Sequence, residues 1–375
     1  MTTLLVLSFS PIAGDARVLK QVAEFAPDFD VVTCGYGPAP EGVVEHIRIP
    51  DEVRADDLDG RLITLHLYRR AYWSLGAVKW SLAALAGRLW DVVLANDVEA
   101  VPVALRLRPR AGVHADLHEY SPLLHEENPA WKRRISPYVS WVCRRYLPRV
   151  ASATTVSRGL QREYAAQFGV HTELVTNAAP YADVAPSPVH DPIRLVHSGA
   201  CLRNRALHET IAGVAEATGV SLDLYLTPND PRYLQELKDA AELTSGRVRV
   251  LDPVPYAQLG ETLRGYDVGV HVLAPTNFNN RWALPNKLFD YVQARLGVLI
   301  GPTPEMAEFV TEHGIGVVAG GFGAQDIAQA LGALTPDDVS GFKRAAAACA
   351  SEVSAQTQTR VWRSAVERLV RKEGT

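Results

Sequence analysis

Lysine is scarce in this 375-residue chain: it supplies seven of the 38 basic residues, at 20, 79, 132, 238, 287, 343 and 372, and arginine supplies the rest. Cysteine is scarce too. Cys34, Cys143, Cys201 and Cys349 are scattered, with no C-x-x-C pair and no metal-like spacing, which argues against a disulfide scaffold or a zinc site. They read as the reduced thiols of a cytosolic protein. No window offers ~20 uninterrupted apolar residues, so no membrane-spanning helix is expected. The start, "MTTLLVLSFSPIAGD", lacks a basic n-region, and its apolar run is too short for a signal peptide. The glycine fingerprint G-x-G-x-x-G is absent: "GYGPAPEG" (35 to 42) and "GGFG" (320 to 323) have the wrong spacing and read as turns. A P-loop is absent as well. D-x-D, a divalent-cation motif, occurs at 28 to 30 and 57 to 59, and both instances read as solvated turns, so no metal is expected. A net charge of -4 gives no whole-chain reason to expect nucleic acid.

What the chain does have is alternation. Short apolar runs recur at 3 to 9, 30 to 36, 91 to 96, 112 to 118 and 153 to 157. They recur again at 193 to 199, 221 to 227, 247 to 253, 267 to 273, 297 to 302 and 314 to 320, with helical patterns between them. Continuous runs of this length suit parallel strands buried on both faces, so the expected class is α/β with two doubly wound, Rossmann-like domains. The proline-rich stretch 177 to 192 reads as the connection between them. The expected division is 1 to 180, a linker at 181 to 192, and 193 to 355. An amphipathic helix at about 356 to 375 follows, on which Val361, Ala365 and Leu369 share one face. Two such domains would face each other across a cleft, and open α/β sheets bind ligands at the carboxyl ends of their strands.

Polar residues gather at those ends. After the first run, "SPIAGDARV" puts Gly14 in a small-residue loop, with Asp15 placed to cap a helix. Asp97 follows the run at 91 to 96. "ADLHEY" sets His118, Glu119 and Tyr120 beside Asp116, and His118 has a side chain able to titrate near neutral pH. In the second half, "HSGACLRNRA" carries Gly199, then Arg203 and Arg205 before a helix, where fixed guanidinium donors and the helix dipole suit a diphosphate. In "TNFNNRWALPNKLFDY", Asn279, Asn280 and Arg281 sit in an expected loop. Asn286 is placed to cap a helix whose mouth carries Lys287 and, one turn in, Asp290, with Leu288 on the buried face. Amides and a lysine attract phosphates, and a carboxylate accepts hydrogen bonds from two neighbouring hydroxyls; a nucleotide satisfies both. The segment 131 to 150 combines basic and aromatic residues in a way that suits an anionic membrane surface or a charged acceptor.

With these residues in hand, nearly the whole chain resembles the GT-B glycosyltransferases of the family-4-like retaining group in bacteria. The most specific stretch is "NNRWALPNKLFDYVQARLGVLIGPTPEM", 279 to 306. The resemblance implies that Asp290 binds the ribose of a nucleotide sugar and that Arg203 and Arg205 hold its diphosphate. It implies that Gly14 and Gly199 lie in loops near the phosphates, with Asn279, Asn280, Arg281, Asn286, Lys287 and Leu288 at the donor. His118 would position the acceptor or activate the donor, with Asp97, Glu119 and Tyr120 near the acceptor, and the last helix would cross back to the first domain. Three departures stand out: Trp282 replaces the first acid of the E-x7-E pair, Asp290 replaces its second glutamate, and Arg205-Ala206 replaces a lysine and glycine. The expected activity is transfer of a sugar from a nucleoside diphosphate donor, a UDP-sugar favoured, to a hydroxyl on a sugar, lipid-linked or small-molecule acceptor. Retention and the absence of cofactor and metal are part of that expectation, with His118, Arg205 and Lys287 as catalytic groups. A cytoplasmic protein in peripheral contact with an anionic membrane is expected, with no nucleic-acid partner. The alternatives are a nucleotide-sugar epimerase or hydrolase on the same fold, or a non-catalytic nucleotide-sugar-binding protein.

Overall fold

In the computed structural model, which describes residues 2–373, the chain forms two parallel sheets, each inside its own compact unit. The first unit comprises the chain up to 176, residues 277–279 and the chain from 358 on; the second comprises 177–276 and 280–357. The first sheet contains β1 (Thr2–Pro11), β2 (Phe29–Tyr36), β3 (Glu45–Arg48), β4 (Val92–Asn96), β5 (Gly112–Leu117), β6 (Ser152–Thr155) and β7 (Glu173–Leu174). Its order is β3-β2-β1-β4-β5-β6-β7. The second contains β8 (Ile193–Ala200), β9 (Val220–Thr227), β10 (Val248–Leu251), β11 (Val268–His271), β12 (Gly297–Ile300) and β13 (Gly316–Val318), in the order β10-β9-β8-β11-β12-β13.

Central strands with apolar residues at every position need helices on both faces, and the sheets have them. Leu4 and Val6 point into a core shared with Val18, Val22, Val92 and Leu94, while Leu5, Leu7 and Val93 are equally buried on the other face. In the second unit, Leu195, Leu222 and Val270 pack on one side and Val196, Val298 and Ile300 on the other. Strand order reverses between β1 and β4 in the first sheet and between β8 and β11 in the second. The loops leaving those strands part in opposite directions there and leave a crevice at each switch point.

The final helix, Ala355–Glu373, lies outside the sheet order yet completes the first unit: Trp362, Val366 and Leu369 are buried against Leu4, Val18 and Val92. Gly374 and Thr375, the end of the expected helix, lie outside the described residues. The proline-rich stretch 177 to 192 has no regular secondary structure and packs onto the second unit, where Ala178 and Ala179 join the core of Leu288 and Phe289. No helix among the described residues is long and apolar enough to cross a membrane.

Candidate functional site

In the first unit, the crevice at the β1–β4 switch holds a buried network. Asp116 at the end of β5 receives Arg17 Nε at 2.7 Å and Nη2 at 2.8 Å, Gln21 Nε2 at 2.7 Å, Thr154 Oγ1 at 2.6 Å and Trp362 Nε1 at 3.3 Å. Arg17 enters from the helix Ala16–Phe25, whose first amides are held by Asp15 as its N-cap. Its guanidinium also stacks over Trp362 at 4.8 Å. Burial works against a charged Asp116, but Arg17 and His118 outweigh it and hold the carboxyl well below its usual range.

His118 stands on top of this network. Its backbone amide donates to Asp97 Oδ1 at 2.8 Å, its Nδ1 lies 3.3 Å from Asp97 Oδ2, and its Nε2 lies 3.0 Å from Asn96 Oδ1 and 3.3 Å from Asp116 Oδ2. Burial alone would lower its pKa, yet the carboxylates of Asp97 and Asp116 raise it to about 9. The ring is therefore an imidazolium at neutral pH, with acceptors at both nitrogens. Asp97 reaches it through a left-handed backbone, φ 60°, a strained geometry of the kind that persists where the surroundings over-determine it. A poorly solvated position beside Asp97 pushes Glu119 up to about 7. Tyr120, expected at the acceptor, is instead a core residue, 3% exposed, with its ring against Tyr164 and Phe278. Gly14 ends a short 3-10 turn, and a Cβ there would meet nothing within 4 Å, so packing does not demand glycine.

In the second unit, β8 ends at a cationic cradle. Gly199 has φ +137°, and a Cβ on it would overlap the Lys287 ammonium. The lysine thus lies directly over bare backbone at the strand end. Burial and the neighbouring Arg205 lower Lys287 to about 8, with Asp290 pulling the other way. Burial also lowers Arg205. Beneath them His197 and His271 stack at 5.8 Å, both fully buried, and His197 Nδ1 donates to Val270 O at 2.9 Å. Burial first, then Lys287, pushes His197 down to about 3 and His271 well below its usual value. Both rings are neutral, so the charge of the cradle belongs to Lys287 and Arg205.

The helix Asn286–Gln293 carries Lys287 and Asp290 on one side and buries Leu288, Phe289, Tyr291 and Val292 on the other. Tyr291 fixes its placement, because the ring fills the space that a Cβ on Gly269 in β11 would take. Asp290 opens onto a pocket of about 480 Å³ between this helix and Tyr256–Leu263, lined also by Tyr256, Tyr181 and Arg264. Tyr256 is 62% exposed there.

Several expected ligands take other roles. Asn286 does not cap its helix: Pro285, extended at φ -74° and ψ 152°, is the N-cap, and Asn286 is already helical. That leaves the first amides without a side-chain partner from the cap position. Leu288 is 0% exposed and serves the core. Arg203 is turned away, gripping Glu236 at 2.9 and 2.8 Å and stacking on Tyr233 at 4.5 Å. Asn279, Asn280 and Arg281, expected in a loop, lie in a helical turn, Phe278–Arg281. Asn279 clamps the backbone of Tyr120, accepting from its N–H at 2.7 Å and donating to its carbonyl at 3.3 Å. Asn280 donates to Thr276 Oγ1 at 2.9 Å, and Arg281 stacks over Trp282 at 5.4 Å. What reading the sequence missed is the supporting layer: Arg17, Gln21, Asn96, His197, His271 and Trp362. Only the i, i+2 spacing of Asp116 and His118 hinted that one strand end carries both groups.

No family model matches the chain, and neither does any curated protein sequence. Solved structures do. HepE of Anabaena in complex with UDP is similar over 98% of this chain and 100% of its own, at 14% identity and a TM-score of 0.72. A glycosyltransferase from Rickettsia africae covers 98% of each chain at 10% identity and 0.68. The UDP-forming α,α-trehalose-phosphate synthase of Burkholderia vietnamiensis covers 98% of this chain and 100% of its own at 13% and 0.67. Similarity of this kind carries architecture, and it shows that the chain has the GT-B fold of two Rossmann-like domains.

Proposed function

We propose that this chain is a glycosyltransferase that moves a sugar from a nucleoside diphosphate donor, a UDP-sugar favoured, to a hydroxyl acceptor with retention and without a bound metal. The observation that carries the reading is the cradle in the second unit. Lys287 lies over the bare backbone of Gly199 beside Arg205, and Asp290 stands one turn further along the same helix. Two desolvated cations and a helix start with no side-chain cap suit a diphosphate, and a carboxylate three residues on suits a ribose diol. The pocket beside Asp290, with Tyr256 at its edge, offers the nucleoside an aromatic surface. HepE has been crystallised with UDP, and the Burkholderia synthase is described as UDP-forming; both lend support to this choice of donor.

The chemistry is then electrostatic. As the bond to the sugar breaks, negative charge grows on the leaving diphosphate, and Lys287 and Arg205 stabilise it from fixed positions. The acceptor, a sugar, a lipid-linked sugar or a small molecule, binds at Asp97, His118 and Glu119 of the first unit. His118, being cationic, donates hydrogen bonds; the acceptor hydroxyl gives its proton to the departing diphosphate oxygen as its own oxygen bonds the sugar carbon in place of the bond that breaks.

The test is calorimetric binding of UDP and 2'-deoxy-UDP to the native protein and to Asp290→Asn, with EDTA present throughout. Loss of a hydrogen bond to a charged acceptor is worth ~1.5–3 kcal/mol, so UDP should bind the variant about tenfold to a hundredfold more weakly. The deoxy ligand should lose affinity for the native protein and little more for the variant. Simply additive losses would remove Asp290 from the ribose, and failure of UDP to bind in EDTA would end the metal-independent reading.

A further inference from the structure

The basic and aromatic residues of 131 to 150 do not form one surface. Lys132 pairs with Glu126, Arg134 donates to Gly60 O and Thr64 Oγ1, and Arg144 lies over the Phe168 ring at 5.8 Å. Arg145 and Arg149 instead line a pocket of about 650 Å³ on the first unit, together with Arg69, Arg106 and Arg108. These five come from three separate stretches: the helix Tyr68–Ser74, the end of the helix Asp97–Leu107, and the end of the helix Ser136–Tyr146 with the turn after it. No acidic side chain lines the pocket. Among the described residues none of the five guanidinium groups has a carboxylate partner.

Aromatic rings hold three of the arginines in place. Arg106 stacks on Trp73 at 4.9 Å, and Arg145 and Arg149 lie over Tyr146 at 5.8 and 5.9 Å. Such stacking orients guanidinium planes without neutralising them. The carbonyl end of the helix Asp97–Leu107 contributes only about half a negative charge. Five converging cations thus remain uncompensated in a concave site, next to the indole of Trp141.

We propose that this pocket is a second binding site, for a multiply charged phosphate-bearing ligand whose apolar or aromatic part rests on the indole rings. Arginine forks match phosphate oxygens bidentately. The site is separate from the network around His118, since Arg106 is nine residues along the helix from Asp97, roughly 14 Å at 1.5 Å per residue. It stands independently of the transferase reading.

The experiment titrates the full chain with inorganic tripolyphosphate at low salt, following tryptophan fluorescence and calorimetry. The background is Arg205→Ala/Lys287→Ala, which removes the phosphate cradle of the second unit. Tripolyphosphate should still bind, more weakly as salt rises. Adding Arg145→Ala/Arg149→Ala should weaken it about tenfold or more. The charge-matched pair Arg70→Ala/Arg133→Ala, which lies outside the pocket, should leave it nearly unchanged. Absence of binding in the background overturns the proposal, and so does equal weakening by the two pairs, which would mean diffuse surface charge. Phosphatidylcholine vesicles doped with phosphatidylglycerol identify the source of the phosphate. Vesicles that compete with tripolyphosphate through Arg145 and Arg149 support the site as one for lipid headgroups. Vesicles that ignore those residues, with tripolyphosphate still bound, support it as one for a soluble phosphate ester.

Discussion

His118 gains its charge from its neighbours, and the gain has a sign that can be measured. Its folded pKa, about 9, lies above the ordinary histidine value of 6.5. The stabilisation from Asp97 and Asp116 is therefore fully present below about pH 6.5 and lost as pH rises through 9. Urea denaturation of native protein and His118→Gln across that range should show a difference on the order of 1–3 kcal/mol at the acid end, shrinking toward pH 9. A difference that does not change with pH would mean a neutral ring. Lys287 behaves oppositely: lowered to about 8, its buried charge costs stability at neutral pH, and that cost shrinks as the pH rises through 8 and is gone above the ordinary lysine value of 10.5. Affinity for a nucleoside diphosphate should fall over the same interval, measured by titration at constant ionic strength. Ala206 offers a simpler experiment. It is held at φ 46° and ψ 37°, where L-residues are strained and glycine is not. Relief of ~1–2 kcal/mol, less the ~0.5–1 kcal/mol that glycine's unfolded freedom costs, makes Ala206→Gly neutral to slightly stabilising by chemical denaturation. A clear loss would show that the alanine methyl does more in its buried position than the strain costs.

At the scale of elements, the final helix is part of the core of the first unit rather than an appendage. Trp362 is 1% exposed, underlies Arg17 and donates to Asp116 and Thr154. Trp362→Ala should cost ~3–5 kcal/mol, and Asp116→Ala a similar amount, because the buried guanidinium of Arg17 would lose the carboxylate that takes both its Nε and Nη2. Both are read from denaturant midpoints. The amphipathic spacing of this helix is visible in the sequence, as are the eleven apolar runs that became strands. β3 and β7 were not visible: they have four and two residues, sit at the sheet edges and are partly exposed, so neither makes a continuous apolar run. The network around Asp116 was hidden for another reason. Apart from His118, two residues on, its partners lie 38 to 246 residues away along the chain, and no local pattern encodes a contact of that span. The helix mouth at 286 was half legible. Lys287 and Asp290 stand as their spacing required, but Pro285 took the cap because its fixed φ suits the extended residue before a helix. The asparagines at 279 and 280 read as donor ligands through the family resemblance of their stretch; here they close hydrogen bonds within the fold.

At the scale of the molecule, two units with separate sheets and separate cores share one chain, and their polar clusters differ in kind. The first holds an imidazolium locked between carboxylates; the second holds two desolvated cations above neutral histidines. A nucleoside diphosphate should therefore act on one unit before the other. At a hundred times its dissociation constant a ligand adds ~2.7 kcal/mol to the folded state, and amide hydrogen exchange reports where. With UDP, protection should rise at 199 to 206, where β8 gives way to the basic turn, and at 286 to 290, where the helix amides lack a side-chain cap. The strands beneath the His118 network, β4 and β5, should change little, because their amides are already closed in a parallel ladder. Repeating the exchange with Lys287→Ala separates phosphate binding from general stabilisation: protection at 199 to 206 should disappear while the exchange of β4 and β5 stays the same. Protection that spreads evenly over both units, or persists without Lys287, would move the nucleotide away from this cradle.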